Sequence, residues 1–275
     1  MLAALLLCLT PAQDAEAPST WQYPLAVASR DGRTVVVDRT LPGLWEVKDG
    51  RLSLLFQASK KFKTPLNAPR CATIGPDGAV YAGCSSTRQV FRMDEGGPVP
   101  LAGEVGKDGN VGVGIPMDIV VTDDGLLVAD LELHRIVRIP FEGGPPEDVA
   151  DVRAPRGLFW DGERLLIVSH GADALLVLEG EGQPAPLVKG QPFEFAHDVA
   201  KLGETYYVTD GYADGVWPVA EDGAVGEKLT AEGMTNPVGI SVDGERLLIA
   251  DPRTPALYGL GGGGTIERVE VTAGE

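Results

Sequence analysis

Short apolar stretches ending in a polar residue or glycine recur along the chain from residue 23 onward. The clearest copies are 35–38 (VVVD), 80–83 (VYAG), 127–130 (LVAD), 166–169 (LIVS), 207–210 (YVTD) and 248–251 (LIAD), with last residues spaced 45, 47, 39, 41 and 41 apart. Upstream of five copies stands an Asp-Gly pair: Asp31-Gly32, Asp77-Gly78, Asp124-Gly125, Asp161-Gly162 and Asp243-Gly244; the remaining copy has Leu202-Gly203. Such pairs supply the positive φ angles of two-residue hairpin turns. Each anchor stretch is therefore predicted to fold back on an apolar strand before it, such as 157–160 or 238–242. A third strand follows, as in 43–47 (GLWEV), 135–139 (RIVRI) and 174–178 (ALLVL), then a glycine-rich turn and a weaker fourth strand such as 52–56 or 186–188.

The repeating unit is thus four antiparallel strands, present six times over the 253 residues from 23 to 275. A sheet this small cannot cover its own two faces, whereas a ring of such sheets covers each with its neighbours. The pattern predicts an all-β chain, a six-bladed β-propeller with four-stranded antiparallel blades, as one domain over residues 21–275. Period-two strands and dense turns exclude a helical solenoid. Trp45, Phe91, Trp217 and Tyr258 share one repeat position, which packing between blades requires. The last strand, 265–271, follows its own third strand directly, which leaves ring closure with or without a swapped strand open.

Composition adds a charge argument. The chain carries 23 Lys and Arg against 40 Asp and Glu, a net charge of −17, which opposes a general nucleic-acid or anionic-membrane surface. Residues 1–12 (MLAALLLCLTPA) read as an export signal, so residues 1–20 are assigned to a signal peptide and short linker, and the mature chain to the periplasm or the extracellular space. Cys8 offers lipid anchoring as the alternative. No later segment is apolar enough to span a bilayer, and a monomer is expected. Cys71 and Cys84 fall in one hairpin, as a disulfide or as two separate buried thiols.

Residues 101–139 (LAGEVGKDGNVGVGIPMDIVVTDDGLLVADLELHRIVRI) resemble an NHL repeat: a glycine-rich lead, a proline-started inner strand, a DG turn, a strand ending in Asp, then His-Arg-Ile. Leu133 stands where that family usually has Asn, and the other copies match more loosely. The resemblance covers residues 21–275 as architecture and implies a fold rather than a chemistry.

In a propeller, the starts of the inner strands and the loops after the second strands crowd one mouth of the central channel, where ligands bind. The inner-strand starts here are Leu25-Ala26, Arg70-Cys71, Met117-Asp118, Arg156-Gly157, His197-Asp198 and Val238-Gly239. Arg70, Asp118, Arg156, His197 and Asp198, with His170 on a mouth-side loop, form the candidate ligand-binding set. Two guanidinium groups converging on a narrow channel suit a carboxylate or phosphate. The competing reading pairs Arg70 with Asp118, and Arg156 with Asp198 or a backbone carbonyl, as structural ion pairs. Lys60, Lys61, Lys63 and Lys107 lie in the two longest connections, toward the same mouth, either as a steering rim or as solvated loop charges. Asp38, Asp130, Asp210 and Asp251 repeat too regularly to be catalytic and are assigned to turn capping. His134, within the repeat motif, is assigned a structural role.

Three functions compete. The favoured one is a binding module for a small anionic molecule or a protein segment, with no catalytic residue assigned. The second is a metal-dependent hydrolase similar to the senescence-marker-protein and gluconolactonase propellers. That resemblance implies Glu, Asn and Asp at inner-strand starts, where this chain has Leu25, Arg156 and His197, leaving only Asp118 and Asp198 for a divalent cation. The third, a zinc lyase resembling the peptidyl-amidoglycolate lyases, would draw on His134, His170 and His197.

Overall fold

Turn chemistry starts each blade. At the first hairpin Arg30 pairs with Arg33, and the two residues between them, Asp31 and Gly32, have φ of 51° and 76°, the geometry whose twist matches flanking strands. The computed structural model describes residues 20–103 and 112–273. Blade 1 contains β1 (Pro24–Arg30), β2 (Arg33–Asp38), β3 (Gly43–Lys48) and β4 (Arg51–Gln57). Blade 2 contains β5 (Pro69–Ile74), β6 (Val80–Cys84), β7 (Gln89–Asp94) and β8 (Gly97–Ala102). Blade 3 contains β9 (Pro116–Thr122), β10 (Gly125–Asp130), β11 (Arg135–Ile139) and β12 (Glu147–Asp151). Blade 4 contains β13 (Pro155–Trp160), β14 (Arg164–Ser169), β15 (Leu175–Glu179) and β16 (Ala185–Val188). Blade 5 has three strands, β17 (Ala196–Leu202), β18 (Thr205–Asp210) and β19 (Gly215–Val219). Blade 6 has β20 (Gly239–Asp243), β21 (Arg246–Asp251), β22 (Ala256–Gly261) and β23 (Ile266–Val269). Each inner strand packs on the next around the ring, β1 on β5, β5 on β9 and onward until β20 meets β1.

Blade 5 departs from the expected four strands. Its outer segment touches β19 only at isolated bridges, Val216 with Leu229 and Val219 with Val225. Val216 and Pro218 present the same edge of β19, and Pro218 has no N–H to give, so the ladder is interrupted after Val216. Among the described residues, every strand of blade 6 comes from its own repeat. β23 completes blade 6 from its own hairpin, and the chain then crosses to blade 1, where β24 (Thr272–Ala273) lies parallel to β4. From the other end, Trp21 Nε1 donates to Pro255 O at 3.0 Å, tying the entry of blade 1 to blade 6.

The core lies between blades. Trp45, Phe91 and Tyr258 are fully buried there, while Trp217 of the same repeat position is half-buried. Asp38, Asp130, Asp210 and Asp251 are fully buried, and each accepts backbone N–H groups from the turn that follows and the loop that leads into its inner strand. The pairing corrects one repeat: Cys84, rather than Gly83, pairs with Pro69 as Asp38 does with Pro24 and Asp130 with Pro116. Cys71 pairs with Gly83, so the two cysteines face opposite sides of the blade. Cys71 packs between blades 2 and 3, and Cys84 between blades 1 and 2, as free buried thiols. Cys8 and the export segment lie outside the described residues. Among those described, no helix is long and apolar enough to cross a membrane.

Candidate functional site

The inner strands do not run straight into the mouth. At the start of five of them the pairing skips, passing over Leu25, Arg70, Met117-Asp118, Arg156-Gly157 and His197-Asp198. These irregularities release the first residues from the sheet and aim them into the channel, a recurrent use of β-bulges. All six residues following the leading Pro or Ala line one cavity: Leu25, Arg70, Met117, Arg156, His197 and Val238. The cavity measures about 270 Å³. Ala26, Asp118 and Asp198 form its floor and also line the lower channel, so they mark a neck between the two spaces.

Five of the six candidate residues, Arg70, Asp118, Arg156, His197 and Asp198, therefore meet on one cavity. His170 does not line it. It stands behind Phe195, in edge-on contact at 4.4 Å, with its Nε2 2.7 Å from Ala196 O. His134 is farther off, accepting the Ala154 N–H at Nδ1. The lysine loop between β4 and β5 is on the mouth side, but Lys60, Lys61 and Lys63 do not line the cavity; Lys107 lies outside the described residues.

Sequence reading missed six lining residues: Tyr23, Arg39, Phe195, Tyr212, Asn236 and Arg253. Tyr23, Phe195 and Asn236 share a position, immediately before the leading Pro or Ala of their blades. Arg39, Tyr212 and Arg253 follow the buried Asp of β2, β18 and β21. The first of these places is visible in the repeat, whereas the second varies by one residue between blades, and of the loops after the second strands the sequence singles out only His170.

The expected ion pairs do not form. Arg70 donates through Nη2 to Met117 Sδ at 3.2 Å, and its Nε has no partner among the described residues. Burial lowers its pKa, with repulsion from Arg39 and Arg156 adding to the effect. Arg156 lies with Cζ 4.8 Å above the Phe195 ring, its Nε likewise unpartnered, and burial lowers its pKa too. Tyr212 stacks on Phe195 at 4.8 Å, extending the aromatic wall to the surface. His197 contacts Phe195 from another side at 5.0 Å. Burial, then the charge of Arg156, pushes His197 down to about 4, so it is neutral at pH 7.

The two aspartates serve the bulges instead. Asp118 accepts the Ile119 N–H at 2.8 Å and the Leu158 N–H at 2.7 Å, bridging blades 3 and 4. Asp198 accepts the Val199 N–H at 2.8 Å and the Ile240 N–H at 3.0 Å, bridging blades 5 and 6. Between them, Gly157 is required: a Cβ there would lie 2.4 Å from Asp198 Cα, a backbone clash. The two carboxyls bear on each other electrostatically across Gly157. Burial raises both, Asp118 to about 7, so the pair holds a proton near neutrality.

This pair sets a pH dependence. Asp118, raised in the fold, contributes stability that is complete below its unfolded pKa near 3.8 and lost as pH rises through about 7. His197, depressed in the fold, opposes it, contributing stability above its unfolded value of 6.5 that is lost toward about 4. His170, lowered by burial, acts in the same direction as His197, and both contributions fade as pH rises above 6.5, so from pH 7 to 8 the carboxyl pair makes stability fall with a slope of at most about 1.4 kcal/mol per pH unit per proton. Melting in buffers of matched ionic strength measures this, and a flat or rising profile over that interval contradicts the shared proton.

The donor set does not suit a divalent cation. Both oxygens of each aspartate already accept amides, four arginines line the same space, and among the described residues no group of three His, Cys, Asp or Glu is placed to hold a metal ion.

No protein-family model and no curated protein matches this chain. Solved structures do. A gluconolactonase from Xanthomonas campestris superposes with a TM-score of 0.70 at 17% identity, over 91% of this chain and 87% of that one. Virginiamycin B lyase from Staphylococcus aureus gives 0.66 at 14% identity, over 91% and 85%. A chain of the nidogen/laminin complex gives 0.67 at 14% identity, over 91% and 94%. The likeness is one of fold. A hydrolase, a lyase and a member of a protein–protein complex share this architecture, so chemistry has to be argued from the mouth itself.

Proposed function

We propose that this protein is an exported binding propeller whose channel mouth holds a small organic anion. One observation carries the reading: Arg70 and Arg156 stand partly buried in one cavity, and no carboxylate among the described residues pairs with either. Removing a guanidinium from water without a counter-charge costs several kcal/mol. A chain with 40 acidic residues had ample means to supply one. A ligand that brings its own negative group offsets that cost. The wall of Tyr23, Phe195 and Tyr212 suits the organic part, and neutral His197 with Asn236 offers hydrogen bonds to hydroxyls. Sugar acids combine these features, and an acidic side chain of a protein partner presents the same carboxylate.

Thermal denaturation with gluconate, glucuronate, succinate and inorganic phosphate at matched ionic strength tests this. At least one anion is expected to raise the melting temperature well beyond a chloride control, and failure of all four removes the proposal. The competing reading is a metal-dependent hydrolase, whose fold the lactonase neighbour shares but whose cation the donor set of the mouth does not suit. Metal-stimulated turnover of gluconolactone by the purified protein would establish it over simple binding.

A further inference from the structure

The charge of the cavity exceeds what a single carboxylate can balance. Four arginines line it, Arg39, Arg70, Arg156 and Arg253, against two carboxyls, Asp118 and Asp198. Even with both carboxyls ionised, at least two positive charges remain, and both carboxyls are already engaged by backbone amides on the floor. A monoanion held by Arg70 and Arg156 would leave the other two arginines at the same opening without a ligand group to meet.

The arginines also stand in two tiers. Arg70 and Arg156 occupy the bulged starts of β5 and β13, inside the mouth. Arg39 and Arg253 are exposed, in the loops after β2 and β21, in the neighbouring blades 1 and 6. Their backbones are held: Arg39 N donates to Tyr23 O at 3.2 Å, and Arg253 N to Asp251 Oδ1 at 2.9 Å. Neither makes an ion pair among the described residues, a state they share with the exposed Arg51, Arg153 and Arg268, so what sets them apart is their place on the cavity.

Resting on the reading of the mouth as an anion site, we infer that its ligand is a small molecule with two separated negative groups, one held by Arg70 and Arg156 and the other read at the rim by Arg39 and Arg253. The rim pair then determines specificity. Arg favours this role because its planar fork meets a carboxylate or a phosphate with paired hydrogen bonds. Aldaric acids and phosphorylated sugar acids share the required chemistry.

The test is calorimetric titration with glucose, gluconate and glucarate, one carbon skeleton bearing none, one and two carboxylates, at matched ionic strength, with 6-phosphogluconate as the phosphate arm and glucose 6-phosphate as its single-group control. In the wild type, glucarate or 6-phosphogluconate binds about tenfold or more tighter than gluconate, and glucose does not bind. In Arg39→Gln, Arg253→Gln the advantage shrinks to about twofold while gluconate affinity changes by less than about threefold, as expected when exposed charges reading a second group are removed. Preference for the phosphate arm over glucarate assigns the second group as a phosphate, and the reverse as a carboxylate; both support the inference. Equal affinity for gluconate and both dianions in the wild type overturns it and leaves the anion site standing. Loss of gluconate and dianion binding in equal proportion in the rim variant overturns the division into tiers. If none of the acids or phosphates binds, the anion reading itself falls, and this inference with it.

Discussion

Replacing Arg70 and Arg156 together with methionine is expected to abolish anion binding while raising the melting temperature. The two effects have one cause. Each guanidinium is partly desolvated, each has an Nε without a partner, and the charges of Arg39 and Arg156 both bear on Arg70. Methionine keeps most of the side-chain length, can pack beside Met117 and against the Phe195 ring, and needs no counter-ion. Relief of an uncompensated charge pair on this scale is worth about 1–3 kcal/mol, which corresponds to roughly 2–12 °C in a domain of this size. A ligand site commonly shows this opposition of stability and function, whereas structural ion pairs show the reverse. Differential scanning calorimetry with and without gluconate or glucarate reads both quantities. A variant that melts lower and still binds would return the two arginines to a purely structural role.

The ring and its mouth were legible in the sequence because a repeat fixes position. Once the anchor stretches set the register, Arg70, Arg156 and His197 had to emerge at one end of the channel, and all three line the cavity. What escaped was local. The shift from Gly83 to Cys84 was hidden because only a polar or small residue marks that place, and Cys satisfies both descriptions. His170 looked like a site residue because its loop points toward the mouth, but Phe195 occupies the space in front of it. The aspartates were weighed as partners of the arginines, since charge attraction is the obvious term. The bulges, which leave amides in need of acceptors and claim Asp118 and Asp198 first, have no signature in a single sequence. Arg39 and Arg253 stand in loops that the repeat already brings to the mouth, but nothing in a single sequence marks which side chain of such a loop turns to the cavity.

Asp210→Ala should be among the most destabilising single changes in the chain, and it should weaken the mouth along with the fold. The Asp210 carboxylate is fully buried and accepts four backbone amides, from Glu194 at 2.8 Å, Phe195 at 2.9 Å, Tyr212 at 3.2 Å and Ala213 at 3.1 Å. Truncation leaves those donors without an acceptor. Hydrogen bonds to a charged group contribute about 1.5–3 kcal/mol each and are not additive within one cluster, so the loss is placed at about 3–5 kcal/mol, or roughly 6–20 °C in melting temperature. The same amides hold the chain on either side of Phe195 and Tyr212, which stack on each other and carry Arg156. Anion affinity should therefore fall even at temperatures where the variant remains folded. The repeat itself suggests the control. Blade 4 places Ser169 where blades 1, 3, 5 and 6 have Asp, and its hydroxyl accepts the Gly171 N–H at 2.9 Å while donating to Arg153 O at 2.8 Å. Asp210→Ser should accordingly recover part of the lost stability, because one acceptor returns to the turn. A melting temperature for Asp210→Ala within about 2 °C of wild type, less than 1 kcal/mol at this size, would show that the buried carboxylates do not hold the blades' turns.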